Sequence, residues 1–369
     1  MMRIGYDAKR AFCNGTGLGN YSRMLIHSLS NHVQTVLYTP RMQESWAHYF
    51  DDCPNIEVRT PKGCWQVLKG LWRTFAIGGL LKHDGIDLYH GLSHELPHGI
   101  PRKVRRVVTM HDLIVRRYPH YFTLPDRLIH RLKQRHACRT ADLVVAISEQ
   151  TKSDLVSLMQ VPEEKIRVVY QSCDPIFLRW NGDVKRVDAV KQKYDLPERY
   201  IICVGTLEER KNQLSIIKAM EQLPDDLSLV LVGRPRGSYG QLVTAQAHGR
   251  IHLLKGASFT DFPALYAGAV ASVYMSRFEG FGIPVLESLC CDTPVVTSNC
   301  SSMPEAGGEA ALYAAPDDID AIAQQLLRLA TDETLRQQQI AKGRLQRQRF
   351  APERVTESLL AVYNELLHQ

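Results

Sequence analysis

Short apolar runs alternate with amphipathic stretches along almost the whole chain, and the series restarts once near its middle. Runs of this kind, bounded by turn residues, read as strands buried on both faces, with the amphipathic stretches as the helices that cover them. That is the pattern of parallel α/β sheets. In the first half the expected strands are Arg3–Tyr6, Thr35–Tyr38, Leu88–His90, Arg106–Met110, Leu143–Ile147 and Arg167–Tyr170. The second series begins at Tyr200-Ile-Ile-Cys-Val-Gly205 and continues with Leu227–Val232, Ile251–Leu254, Ala271–Met275 and Pro294–Thr297. A length of 369 residues suits two domains. The stretch Gln171-Ser-Cys-Asp-Pro-Ile-Phe177 carries little periodicity, which puts a linker near 171–184 and domains over 1–175 and 185–351. Open α/β sheets bind ligands beyond the C-terminal ends of their strands, so two that face one another let two substrates meet in a cleft.

The apolar content of 44% and charged content of 23% are those of a globular protein. Met1-Met-Arg-Ile-Gly-Tyr-Asp7 reads as a strand that starts at once, with no signal peptide ahead of it. No apolar run reaches the roughly 18 residues that span a bilayer. Nine cysteines stand singly apart from Cys290-Cys291, with no Cys-x-x-Cys pair, which fits free thiols in a reducing cytosol and argues against a metal cluster. Charge is uneven: residues 1–180 hold 25 basic and 16 acidic residues, a net +9, while the remainder holds 20 and 23, a net −3. A basic first half points either to an anionic partner (phospholipid headgroups, a phosphorylated acceptor or nucleic acid) or to a merely solvated surface.

Two carboxylates, Glu279 and Glu287, stand eight residues apart in Glu279-Gly-Phe-Gly-Ile-Pro-Val-Leu-Glu287, just after the apolar run Ala271–Met275. Pro284 suits a first helical turn, where its missing N–H removes nothing. Glu279 therefore belongs on a loop beyond a strand and Glu287 inside the next helix. Gly280 and Gly282 keep side chains away from that helix's N-terminus, whose free N–H groups and dipole favour an anion. Carboxylates on either side of an anion site suit a ligand with hydroxyls at both ends and phosphate between, such as a nucleotide sugar. The plainer alternative is a solvated loop carboxylate and a helix-surface glutamate.

Gly205-Thr-Leu-Glu-Glu-Arg-Lys-Asn212 follows the first strand of the second series. Arg210 and Lys211 fall where a loop enters a helix, a place where two cations and helix N–H groups hold a diphosphate. Asn14-Gly-Thr-Gly-Leu-Gly-Asn-Tyr21 follows the first strand of the chain, and Gly17 and Gly19 there permit close backbone approach to a phosphate. The dinucleotide fingerprint nevertheless fails. Leu18 and Asn20 frame Gly19 where Gly-x-Gly-x-x-Gly asks for another glycine, and Tyr38-Thr-Pro40 ends the second strand without an acidic residue.

These segments, with Thr293-Pro-Val-Val-Thr-Ser-Asn299 and Ser301-Ser-Met-Pro-Glu305, resemble the retaining glycosyltransferases of the GT4 family, whose signature is Glu-x7-Glu. The likeness runs from Met2 to the last helix. It implies the GT-B fold: two Rossmann-like parallel-sheet domains facing across a cleft, the first binding acceptor and the second nucleotide sugar. It also implies that the C-terminal helix, about 352–369, crosses back onto the first domain. By the same resemblance Glu287 holds the ribose hydroxyls and Glu279 the O3/O4 side of the sugar. Arg210, Lys211, Gly17, Gly19, Gly205 and the backbone of Gly280, Phe281, Gly282 and Ile283 surround the donor phosphates. The family often places a basic residue directly after the glycine at 205, where this chain has Thr206. No Asp-x-Asp motif stands in a donor-site position, so no metal and no cofactor beyond the donor is expected.

His111, in His111-Asp112-Leu113 at the end of the run Arg106–Met110, matches a family histidine near the reacting sugar; the alternative is a satisfied core histidine. His90 and His94, in Tyr89-His-Gly-Leu-Ser-His94, are candidates for the acceptor side. Trp65, Leu68, Trp72 and Phe75 recur at helical spacing beside Lys62, Lys69 and Arg73, and Arg127 to Arg139 form a second basic cluster. Such a stripe either packs on its own domain or lies in the inner face of a membrane. Nucleic acid is not expected, since none of its binding motifs is present.

The region Glu279–Pro304 most resembles mannosyltransferases of bacterial surface-polysaccharide assembly, O-antigen-like, which implies GDP-mannose as donor and a glycan, free or polyprenyl-linked, as acceptor. A UDP-sugar-dependent enzyme of the same family and a non-catalytic nucleotide-sugar binder are the competing readings.

Overall fold

In the computed structural model, which describes residues 1–53 and 55–368, the expected series of buried runs becomes two all-parallel sheets. The chain divides into one unit of residues 1–172 with 351–369, and a second of residues 173–350. Gln369, the last residue of the expected C-terminal helical stretch, lies outside the described residues. No helix among the described residues is long and apolar enough to cross a membrane.

The first unit holds β1 (Arg3–Asp7), β2 (Gln34–Tyr38), β3 (Ile56–Arg59), β4 (Leu88–Gly91), β5 (Arg105–Met110), β6 (Leu143–Ala146) and β7 (Ile166–Val168), in the spatial order 3-2-1-4-5-6-7. Alternate residues feed two cores. Tyr6, Leu37, Leu88, Val107 and Val145 face one side, where the helices Gly17–Ser30 and Pro352–Leu367 lie over them with Leu25, Leu29, Leu359 and Tyr363. Val36, Tyr38, Tyr89, Val108 and Val144 face the other, under Ile77, Leu81, Ala137 and Leu155. This period of two is what a strand covered on both faces requires.

The second unit holds β8 (Tyr200–Val204), β9 (Ser228–Val232), β10 (Ile251–Leu254), β11 (Ala271–Tyr274), β12 (Val295–Ser298) and β13 (Ala311–Ala314), ordered 10-9-8-11-12-13. In each unit the order reverses once, between β1 and β4 and between β8 and β11. A doubly wound sheet opens a crevice for ligand at such a reversal, beyond the carboxyl ends of the strands.

Two strands escaped the sequence reading, and both are edge strands. On β3, Glu57 and Val58 are exposed and Glu57 is ion-paired with Arg3 and Arg59, so no apolar run marks it. The short Ala-Leu-Tyr-Ala of β13 is half-buried at its centre. The stripe from Trp65 to Phe75 also differs from one helix: it is a 3₁₀ turn, a short α turn and a π-helical turn, Trp72–Ala76, in succession. Trp72 is buried in the core and Trp65 packs against it, while Leu68 and Phe75 are exposed.

Candidate active site

The loops after β8 and β11 meet at the order reversal of the second sheet. Gly205, directly after β8, has φ +143°, and a Cβ there would come within 2.9 Å of Lys211 Nζ. Any other residue would meet both backbone strain and the lysine. The loop turns through a 3₁₀ segment, Glu209–Lys211, and Asn212 enters the next helix with φ +58° while its Nδ2 donates to Pro316 O. Lys211 is left half-buried, its ammonium 5.6 Å from the Tyr274 ring centroid, with no hydrogen-bond or ion-pair partner among the described residues.

Arg210 differs from its neighbour and from the expectation that its fork would face a phosphate. Nη1 lies 2.5 Å from Glu279 Oε1 and donates to Phe278 O at 2.6 Å, while Nη2 donates to Glu208 Oε1 at 2.6 Å. With the guanidinium so engaged, its direct effect is to fix Glu279. The Glu279 carboxylate also accepts from Tyr274 Oη at 2.6 Å and Ser276 Oγ at 3.0 Å. Its backbone is gripped by Ser301 and Ser302, whose hydroxyls donate to Glu279 O at 2.8 and 2.9 Å. Burial pushes this carboxyl up, but Arg210 and then Lys211 outweigh it, so Glu279 is held below its ordinary pKa and ionised.

Glu287 has the opposite environment. It is the fifth residue of the helix Ile283–Cys290, buried, and accepts one hydrogen bond, from Tyr266 Oη at 3.2 Å. Burial raises its pKa from 4.5 to about 7, outweighing the Tyr266 hydrogen bond that pulls the other way; the nearby Asp174 adds to the rise and Lys211 opposes it. Between the two carboxylates the chain passes Gly282, with φ +121°, where a Cβ would lie 2.7 Å from Met303 Cε. The helix then begins with Ile283 and Pro284, so its N-terminal N–H groups open beside the two glycines. The Phe281 ring is a core group, edge-on to Phe350 at 5.1 Å, which leaves only its backbone for ligand.

The structure thus gathers Gly205, Lys211, Glu279, Gly280, Gly282, Ile283 and Glu287 around one reversal point, with Arg210 behind Glu279. An ionised carboxylate, a carboxylate near its neutral point, an unpaired ammonium and a helix N-terminus are the groups that bind hydroxyls on either side of a diphosphate. Sequence reasoning missed Tyr266, Tyr274, Ser276 and Glu208, which set the two carboxylates apart. Tyr274 reads as one more core residue of an apolar strand. Glu208, two residues before Arg210, was the one visible signal.

In the first unit, Gly17 is exposed and starts the helix Gly17–Ser30, with open space where its Cβ would be. Gly19 has a different use from the one expected. Its N–H donates to Thr16 O at 2.8 Å, and a Cβ would overlap Asn14 O at 1.7 Å, so the glycine lets helix and preceding turn pack. His111 follows β5 and is buried, its Nε2–H donating to Leu92 O at 2.8 Å and its ring edge-on to Tyr21. Burial, with His94 beside it, lowers its pKa to about 3, so it is neutral at physiological pH. His94 lies 5.4 Å away between ring centroids and is lowered to about 4, by burial first. His90 is a satisfied core histidine: Nδ1 pairs with Tyr363 Oη at 2.7 Å and Nε2 with Thr109 Oγ1 at 2.8 Å.

Comparison with known proteins gives the family. The profile of Glycosyltransferase Family 4 matches residues 15–176, and that of Glycosyl transferases group 1 matches residues 185–346. The O-antigen chain mannosyltransferase B of Escherichia coli is 33% identical over 289 residues, 76% of this chain and 74% of that protein. The O-antigen chain mannosyltransferase RfbU of Salmonella typhimurium is 29% identical over 225 residues, 60% of each. Among solved structures, Anabaena HepE in complex with UDP-glucose superposes with a TM-score of 0.76 at 18% identity, covering 99% of this chain and 100% of that one. Two doubly wound parallel-sheet units of this kind make the GT-B glycosyltransferase fold. The chain belongs to the GT4 family of glycosyltransferases.

Proposed function

We propose that the protein is a retaining mannosyltransferase that moves mannose from GDP-mannose to a hydroxyl of a glycan, leaving an α-linkage, in the assembly of an O-antigen-like surface polysaccharide. The observation that carries the reading is the contrast between Glu279 and Glu287 around one unpaired lysine. The names of the similar proteins, O-antigen mannosyltransferases, support the sugar and the pathway. Glu287 takes the ribose hydroxyls. Glu279, ionised and fixed by Arg210, takes hydroxyls of the transferred sugar. It is therefore a binding group and not a nucleophile.

Lys211 and the N-terminus of Ile283–Cys290 offset the charge that grows on the departing diphosphate, where electrostatic stabilisation acts most strongly. These fixed positive groups make a divalent metal unnecessary. The acceptor hydroxyl attacks the anomeric carbon on the face from which the diphosphate leaves, and its proton passes to the leaving phosphate oxygen. His111, neutral and buried, is a hydrogen-bonding group on the acceptor side and transfers no proton in this scheme.

A lipid-linked acceptor at the inner face of the cytoplasmic membrane is favoured by the surface of the first unit. On the helix Leu124–Thr140, Leu124, Leu128, Ile129 and Leu132 are exposed beside Arg127, Arg131 and Arg135. Val67, Leu68, Leu71 and Phe75 are exposed as well. Apolar groups interleaved with arginine suit an interface rich in anionic lipid. The test of function is incubation of the protein with GDP-mannose and polyprenyl-linked oligosaccharide, followed by NMR of the product's anomeric proton. An α-mannosyl product supports the reading. A β-product, or transfer from a UDP-sugar only, overturns the mechanism or the donor respectively.

A further inference from the structure

The first sheet has its own order reversal, between β1 and β4, and a cavity of about 290 Å³ lies there. Asp7, the last residue of β1, Tyr89 on β4 and Glu95 beyond β4 line it, with Arg73, Thr74 and His98. Arg73, only 11% exposed, donates from Nε at 2.9 Å and Nη2 at 2.5 Å to Asp7 Oδ2, and its Nη1 lies 2.6 Å from Glu95 Oε2. Lys133 Nζ adds a contact of 3.1 Å to Glu95 Oε1. Two carboxylates are thus held rigid, with their charge balanced by two cations. Arg73 and Thr74 reach the cavity from the π-helical turn Trp72–Ala76, a rare form that is frequent at functional sites.

A structural salt-bridge network accounts for Asp7, Arg73 and Glu95 but not for Tyr89. Its side chain is fully buried and lines the cavity, yet its hydroxyl has no hydrogen-bond partner. A buried hydroxyl without a partner is costly, and a ligand hydroxyl is the partner that would relieve it. The stacked imidazoles of His98 and His136, 3.9 Å apart between centroids, both border the cavity and supply a flat ring surface. A net-neutral lining with several fixed acceptors disfavours a phosphate, and the volume is at the small end for ligand pockets, which begin near 300 Å³.

We propose that this cavity is a subsite for one neutral pyranose ring of the acceptor glycan. The ring's hydroxyls pair with the Asp7 and Glu95 carboxylates and with Tyr89 Oη, and its C–H face lies against the imidazoles. The proposal rests on the reading of the protein as a transferase to a sugar hydroxyl, and it adds the residues that select the acceptor.

The test is saturation-transfer NMR of the full chain, without nucleotide sugar, titrated with methyl α-mannopyranoside, methyl α-glucopyranoside, methyl α-galactopyranoside and inorganic phosphate. At least one glycoside is expected to bind. Tyr89→Phe should weaken it about fivefold or more, at unchanged melting temperature and unchanged GDP-mannose affinity by calorimetry. Leu132→Trp, an exposed residue at the cavity's edge, should block it without touching the core. Absence of glycoside binding, binding that neither variant alters, or preference for phosphate would overturn the subsite. Glycoside binding by a chain that ignores GDP-mannose would keep the subsite and refute the donor instead.

Discussion

Replacing Glu287 by glutamine should make the protein more stable and less able to bind its donor, and the size of the gain follows from one buried carboxyl. Glu287 ionises near 7 in the fold, against 4.5 for an unburied glutamate, chiefly because burial penalises the charged form. Between those pH values the fold keeps a proton that the unfolded chain has released. Stability therefore falls as pH rises through this window and levels off above it. At about 1.4 kcal/mol per pKa difference of one, the loss is roughly 1.4 kcal/mol at pH 5.5 and about 3 kcal/mol at pH 8. Glutamine keeps the volume and an acceptor for the Tyr266 hydroxyl, so the variant escapes this penalty. In a unit of this size about 3 kcal/mol corresponds to roughly 6–12 °C in melting temperature. Thermal melts of the two proteins at pH 5.5 and 8 are the assay. The variant should melt higher at pH 8 by that amount, less so at pH 5.5, and should lose donor affinity at both. A gain equal at the two pH values, or a variant less stable at pH 8, would refute the argument that a charge is retained here against stability.

Lys211→Ala should cost less stability than loss of the Glu279 charge, since the ammonium makes no hydrogen bond or ion pair among the described residues and acts on Glu279 only after Arg210, while turnover falls at least about 100-fold. Near-normal turnover would remove Lys211 from the site. Glu279→Gln should behave differently, losing activity and about 3 kcal/mol of stability because Arg210 keeps only Glu208 as counter-charge; chemical denaturation measures it, and an unchanged midpoint contradicts the pairing. Vesicles containing phosphatidylglycerol should sediment with the protein at low salt, and Leu128→Glu should weaken this severalfold; equal binding to neutral vesicles would count against an electrostatic component.

The central strands were legible because burial on both faces leaves a continuous apolar run, as in Ile201-Ile-Cys-Val204. The edge strands β3 and β13 were not, because half their residues face solvent or ion pairs. Glu279 and Glu287 were visible through their spacing, the glycines between them and Pro284. What tells them apart was hidden. Arg210 meets Glu279 only because β8 and β11 are neighbours, and Tyr274 looks like core until its hydroxyl is seen on the carboxylate. The glycine at 19 showed that a backbone must come close, but not that the near group is Asn14 O. The cavity at Tyr89 joins Asp7 to Arg73 across 66 positions, a pairing that no local pattern encodes.

The most direct test of the central claim is calorimetric titration of the metal-free protein with GDP-mannose and UDP-glucose in parallel, repeated with Glu287→Ala. The account predicts saturable binding of GDP-mannose alone, lost in the variant. Binding of UDP-glucose in its place would contradict the mannosyl donor, and binding of neither would contradict the donor site itself.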